Sequence, residues 1–308
     1  MPLSSLRDRL FVDSLRWAPT GLYSALIGWG ARTRLPRPLR ARVYGAFARA
    51  VDARLDEAGA ELHEYATFGD FFARHLRPGV RPIADAPLVA PCDGVVAAGG
   101  PIAGDTLVQA KGLDYSVRDL VVDDALADGL RDGHYLTVYL SPRDYHRVHA
   151  PFAGSLRAYH YVPGKRWPVQ PRFVQRVQKL FAVNERVVIE LATAWGPAAV
   201  VLVAATGVGN MWLSHLGDEG GDTRAMNAVG KRHDLAVAGE VAPGDELGAF
   251  LLGSTVIVLL PRGAPAMLAD EGEVVQMGQA LVATRAPGDG ERDDGGDGDD
   301  GNGRGRPA

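Results

Sequence analysis

The chain has 308 residues, 46% apolar and 23% charged, an ordinary globular composition with material for one large domain or two smaller ones. Its single cysteine, Cys92, excludes an intramolecular disulfide framework and a zinc site built from several thiolates. The net charge of −4 gives no general basic field, so no nucleic-acid partner is expected.

That charge is unevenly spread. Residues 1–54 hold ten arginines against three aspartates, about +7, while the end of the chain, "APGDGERDDGGDGDDGNGRGRPA", is rich in Gly and Asp and nearly free of apolar groups. Such a segment buries too little to offset its ordering entropy, so 286–308 is expected to be a disordered acidic tail. The first residues set charges among their apolar positions and lack a small-residue cleavage site, so no signal peptide is expected.

In chain order, "LRDRLFVDSLRWA" places Leu6, Leu10, Leu15 and Trp17 near one side of a helix. "GLYSALIGWGARTRL" is apolar but far short of a membrane span. "PLRARVYGAFARAVDARLDEA" repeats Val43, Phe47, Val51 and Leu55 at every fourth position, with Arg between them. Basic amphipathic helices of this kind either lie in a membrane interface or cap a domain with their arginines in water. Residues 1–66 are therefore read as a basic amphipathic helical region. "TFGDFFARHLRPGVRPI" (67–83) predicts a short helix ended by Pro78 and Gly79.

From about Leu88 to Thr284 the texture changes to short β-rich runs broken by Gly and Pro, among them "HYLTVYLSP", "ERVVIELAT", "AAVVLVAATGVG" and "STVIVLLP". Residues 187–209 are apolar, but Glu190 and the Gly196-Pro197 break divide them into two strands. The fold class expected is α+β: N-terminal amphipathic helices, then a mostly antiparallel β-sandwich or barrel-like core over 67–285. "VAPCDGVVAAGG", "GEVAPGDELGAF" and "GEVVQMGQALV" look like hairpins of the sandwich hybrids found in biotin and lipoyl carriers. Their tips lack the lysine a carrier needs.

Three stretches carry candidate chemistry. "GAFLLGSTVIVLLP" (248–261) is a buried strand by pattern, yet Gly253, Ser254 and Thr255 interrupt it, and Gly weakens a strand. "YLSPRDYHRVHAPFAG" (139–154) holds His146 and His149 three apart beside a turn. They suit metal ligation only weakly, with no cysteine or obvious acidic third ligand nearby, and they are equally at home as hydrogen-bonded turn residues. "APCDGVV" (90–96) sets Asp93 before Gly94, a common turn pair. Asp93, His149 and Ser254 together supply a carboxylate, a base and a nucleophile, but spacing alone does not bring them together. Ser254 also lacks the G-x-S-x-G elbow of many hydrolases.

"FLLGSTVIVLLP", "YLSPRDYHRVHAPF", "APCDGVV" and "QAKGLDYSV" together resemble the phosphatidylserine decarboxylases in their bacterial membrane-associated form, and the resemblance runs from the basic helices to about Thr284. It implies a proenzyme that cuts itself between Gly253 and Ser254 into a β chain, 1–253, and an α chain, 254–308. Ser254 then becomes a covalent pyruvoyl group, the cofactor. The resemblance makes Ser254 Oγ the nucleophile, His149 its base and Asp93 the group orienting His149, with Gly253 leaving its carbonyl open to close approach. It implies that the ketone takes the amine of phosphatidylserine as a Schiff base, that CO2 leaves, and that phosphatidylethanolamine is released without a metal. His146 is the candidate for returning a proton and holding the substrate carboxylate. The implied partners are phosphatidylserine in the bilayer, an anionic membrane surface, and the α/β heterodimer, which in family members often dimerises. The implied location is peripheral, on the cytoplasmic face of the inner membrane. Lys231 and Arg232 are candidates for meeting the phosphodiester.

Overall fold

The computed structural model describes residues 27–110, 113–206, 211–251 and 254–282. The first expected helix (6–18), Gly253 and the acidic tail lie outside the described residues.

Helix α1 (Arg37–Val51) starts after Pro36, with Pro38 in its first turn, where a missing N–H costs nothing. It ends where Asp52 turns left-handed at φ 59°. Its buried face is Tyr44, Gly45 and Ala48, not the every-fourth stripe expected from Val43 to Leu55. A four-residue step advances about 40° beyond a full turn, so such a stripe winds off any one face. Val43 stands 43% exposed, and Leu55 lies past the helix end. Tyr44 stacks on Phe71 of helix α2 (Phe68–Phe72), with ring centroids 4.9 Å apart. α2 is fixed at its start by a capping box: Thr67 Oγ1 accepts from the Asp70 N–H, and the Asp70 carboxylate accepts from the Thr67 N–H. It stops well before Pro78. The Ala73 carbonyl instead accepts from Arg147 Nε at 2.8 Å, and Leu76 pairs with Ala58.

The remainder is two antiparallel sheets and a hairpin. Its strands are β1 (Gly94–Pro101), β2 (Thr106–Ala110), β3 (Leu113–Ser116), β4 (His134–Leu140), β5 (Arg147–His149), β6 (Gly154–Val162), β7 (Arg186–Thr193), β8 (Gly196–Ala204), β9 (Met211–Leu213), β10 (Gly221–Asp222), β11 (His233–Val241), β12 (Glu246–Phe250), β13 (Ser254–Leu260) and β14 (Val274–Val275). The large sheet runs β11-β6-β7-β8-β13-β4-β1-β14, and the small one β10-β9-β12-β5, while β2 and β3 pair with each other. The eight strands do not close. β11 and β14 remain edges, so the architecture is an open sandwich and the barrel-like alternative is set aside. The β14 edge is two residues long, a short template for unwanted pairing.

The central strands read as unbroken apolar runs because both faces of the large sheet are covered. Along β13, Val256, Val258 and Leu260 enter the core shared with the small sheet, which also takes Val148, Met211, Leu213, Leu247 and Phe250. Ile257 and Leu259 enter a second core on the opposite face. That face is closed by the β2–β3 hairpin and four short helices: α3 (Val117–Val121), α4 (Asp124–Gly129), α5 (Pro171–Val174) and α6 (Leu180–Val183). A last helix, α7 (Arg224–Val229), sends Met226 into the first core.

Candidate active site

Alternation along β13 decides where Ser254 points. Even-numbered residues face the small sheet, so Ser254 shares a face with Val256 and Val258 and is fully buried between the two sheets. On its flanks it pairs with Leu140 at the end of β4 and Ala204 at the end of β8. β4 then gives way to a turn in which the Asp144 carboxylate accepts from both the N–H and the hydroxyl of Ser141, each at 2.7 Å. The turn returns the chain as far as His146, whose carbonyl accepts from the Phe250 N–H at 2.9 Å. Thus the strand before the interruption, β12, is hydrogen-bonded beside the histidine turn, and the strand after it, β13, lies in the other sheet.

The turn places His146 Nδ1 3.5 Å from Ser254 Oγ. Its other nitrogen, Nε2, lies 3.0 Å from the Ser141 carbonyl oxygen. A carbonyl only accepts, so Nε2 carries the hydrogen, and Nδ1 of the neutral ring turns its lone pair toward the Ser254 hydroxyl. Burial drives the ring toward that neutral form, pushing its pKa down to about 3 from 6.5. Phe72 stacks on the imidazole with ring centroids 4.1 Å apart, holding its plane from the side of α2.

His149, expected beside Ser254, is engaged elsewhere. Its Nδ1 donates to the Gly244 carbonyl at 2.8 Å, and its Nε2 accepts from the Tyr145 hydroxyl at 3.1 Å. Burial also lowers its pKa. Asp93 is likewise committed: Arg81 grips it through Nε at 3.0 and 3.2 Å and through Nη2 at 2.6 Å, and the Met277 N–H donates to it at 2.9 Å. A guanidinium fork offers a carboxylate two charge-assisted bonds, a stronger hold than one neutral imidazole gives. The three residues read as a triad are therefore not hydrogen-bonded in series. The contact that forms is Ser254–His146. Arg232, offered for a phosphodiester, donates from Nε to Asp234 at 2.7 Å on the β11 edge, with three strands between it and β13.

Sequence reasoning gave no role to "NER" (184–186), and the structure gives it one. Asn184 donates to the Trp167 and Ala204 carbonyls, 2.9 Å each, and accepts from the Trp167 N–H at 3.0 Å. Ala204 is the β8 partner of Ser254, so Asn184 fixes the backbone one strand from Ser254. Glu185 is buried with its pKa raised by desolvation, and it accepts from Arg166 at 2.7 Å and from Tyr161 at 3.2 Å. Arg186 uses its donors on the carbonyls of Leu120, Ala182, Asn184 and Asp119. A polar triplet set between the apolar runs "KLFAV" and "VVIELAT" is the signal that marks it. Among the described residues, no group of three or more His, Cys, Asp or Glu side chains is placed to hold a metal ion. A covalent group made from Ser254 itself needs no separate cradle, and a serine facing an acceptor nitrogen fits that origin.

The sequence profile of the phosphatidylserine decarboxylase family matches residues 68–283. The phosphatidylserine decarboxylase proenzyme of Anaeromyxobacter sp. (strain K) is 44% identical over 278 residues, covering 87% of this chain and 98% of its own. That of Myxococcus xanthus is 40% identical over 256 residues, covering 82% and 90% respectively. That of Acidovorax ebreus is 40% identical over 280 residues, covering 90% and 98%. Profile and relatives span both sheets, the histidine turn and Ser254, and on that ground the chain belongs to the phosphatidylserine decarboxylase family.

Proposed function

We propose that the protein is a proenzyme that cuts itself at Ser254 and then decarboxylates phosphatidylserine to phosphatidylethanolamine, in phospholipid synthesis. The contact between Ser254 Oγ and the acceptor nitrogen of His146 carries this reading. His146 takes the hydroxyl proton as Oγ adds to the Gly253 carbonyl carbon. The Gly253–Ser254 C–N bond breaks, the nitrogen is protonated, and the amide becomes an ester. Loss of the Ser254 Cα proton expels the ester carboxylate, leaving one chain ended by Gly253 and the other headed by dehydroalanine. Tautomerisation to an imine and addition of one water release ammonia and leave a pyruvoyl ketone. Formed from Ser254, that group would supply an electron sink for a substrate held through its amine. Around it the chain's own residues exclude water between the two sheets, and His146 returns a proton to the substrate carbon that lost CO2. The serine is poorly placed for a diffusing ester but well placed for its own backbone, which answers why Gly-Ser-Thr interrupts a buried strand.

The resemblance to the family assigns the base role to His149, and the Asp93 charge does act on that ring. Single variants separate the two readings. His146→Asn is expected to leave the chain uncut and His149→Asn to leave cutting measurable; the reverse pattern would transfer the role to His149. The intact mass of the purified chain, with Ser254→Ala as control, tests the function itself. Two species split after Gly253 are expected, the smaller lighter by one ammonia than a fragment headed by Ser. A single uncut chain identical to the control would sink the reading.

The same proposal places the protein on the cytoplasmic face of the inner membrane as a peripheral enzyme, working as an α/β heterodimer. No helix among the described residues is long and apolar enough to cross a membrane. Support for docking comes from Trp29, Leu39 and Val43, which stand 68%, 45% and 43% exposed among the arginines of the N-terminal segment.

A further inference from the structure

Two arginines are buried among the described residues, Arg186 and Arg74. Arg186 is satisfied by four backbone carbonyls. Arg74 is only 4% exposed, yet its Nε has no hydrogen-bond partner, and its guanidinium forms no ion pair among the described residues. Its one directed contact is with the Phe71 ring, 5.5 Å from the centroid. Burying a cation without an anion is costly, and a protein that gives Arg186 four carbonyl partners has the means to satisfy Arg74.

The position of Arg74 supplies the reason. It follows Phe72, which stacks on His146, and Ala73, whose carbonyl accepts from Arg147 at the start of β5. Its charge bears on both His146 and Tyr145. Its natural neighbours, Glu57 and Asp93, are taken up by Arg81. On the decarboxylase reading the chemistry at Ser254 involves oxyanions: the cut frees a carboxylate, and the lipid headgroup carries a carboxylate and a phosphodiester.

We propose that Arg74 is the oxyanion receptor of the reaction centre, a guanidinium kept unpaired in the uncut chain so that it can take a carboxylate or phosphate once the centre is in use. This rests on the decarboxylase reading above. A planar fork with five donors suits either anion.

Arg74→Met and Arg74→Lys are compared with the wild type in the full chain, and Arg74→Met is also made on the uncut Ser254→Ala background. On that background Arg74→Met is expected to leave the melting temperature unchanged or raised, because no partner is lost. If the headgroup is the anion, Arg74→Met is cut as fast as the wild type while KM for phosphatidylserine in mixed micelles rises at least tenfold, with a smaller fall in kcat, and Arg74→Lys recovers part of the loss. If the new carboxylate is the anion, KM holds but the melting temperature of the cut protein falls by several degrees. Equal kinetics and equal melting of the cut proteins would overturn the proposal. So would an equal destabilisation of the uncut background, which would make Arg74 a packing residue. A wild-type chain that neither cuts nor turns over phosphatidylserine would locate the failure in the decarboxylase reading instead.

Discussion

His146 shows how much a single residue can set. Its ring is fully buried, its Nε2 hydrogen is committed to the Ser141 carbonyl, and its pKa is pushed down to about 3. Two consequences follow, one for rate and one for stability. A base that stays neutral far below pH 6.5 remains an acceptor, so the rate of self-cutting is not expected to fall around pH 6.5 on its account. For stability, the unfolded chain protonates this histidine near pH 6.5 while the folded chain does not. Protons therefore favour the unfolded state as pH falls from 6.5 toward 3, and stability is lost across that window. Between pH 7.5 and 5 the loss from this residue is about 2 kcal/mol. Urea midpoints of the uncut Ser254→Ala chain at the two pH values, with and without His146→Gln, measure it. The glutamine variant is expected to show the shallower pH dependence, and equal slopes would mean that the ring is not held neutral.

At the scale of elements, the site depends on how closely strands approach. Gly248 on β12 faces Val148 of β5 and Leu213 of β9. A Cβ there would stand 2.4 Å from the Trp212 carbonyl oxygen, closer than real contacts allow, and backbone must move. Gly248→Ala is expected to cost about 3 kcal/mol, the upper end of overpacking, and to slow cutting more than tenfold, because β12 delivers the chain to Gly253. Thermal melting and the time course of the cut on a denaturing gel check both; normal cutting would show that β12 does not position the scissile bond. The strands themselves were legible. β4, β7, β8 and β13 fall on the apolar runs, since a sheet covered on both faces demands unbroken Val, Leu and Ile. The short helices α3 to α6 were not, because four to six residues carry no period to detect. At the candidate site, the sequence singles out Ser254, His146, His149 and Asp93 as candidates, but it does not show which of them the fold pairs. The pairing turns on the parity of β13, on the Ser141–Asp144 turn, and on Arg81, which reaches Asp93 from outside the segment that contains it. Asn184 is marked in the sequence only by the polar triplet it opens between two apolar runs, and nothing in the sequence around Arg74 announces that its side chain is buried.

For the whole molecule, the question is how a centre buried between two sheets meets a lipid. The exposed side of α1 offers Leu39 and Val43 with Arg37, Arg42 and Arg49, while its buried side holds the domain through Tyr44 and Ala48. One helix thus presents an apolar and basic face outward on a rigid base, close to α2, whose Phe72 touches His146. Each arginine near an anionic surface contributes about 1 kcal/mol, and salt screens that share over roughly 8 Å at physiological ionic strength. The two apolar side chains contribute about 2 kcal/mol together if they enter the headgroup layer partly. Replacing both with Glu removes this term and sets like charge against the lipid. Leu39→Glu/Val43→Glu is therefore expected to cut itself normally, since neither residue packs in a core, yet to sediment at least tenfold more weakly with vesicles of phosphatidylserine and phosphatidylcholine. The wild type is expected to lose binding progressively between low salt and 0.5 M salt, the order of ionic strength at which surface attraction is largely screened. Sedimentation of the double variant equal to the wild type would move docking off α1 and onto the residues that precede it.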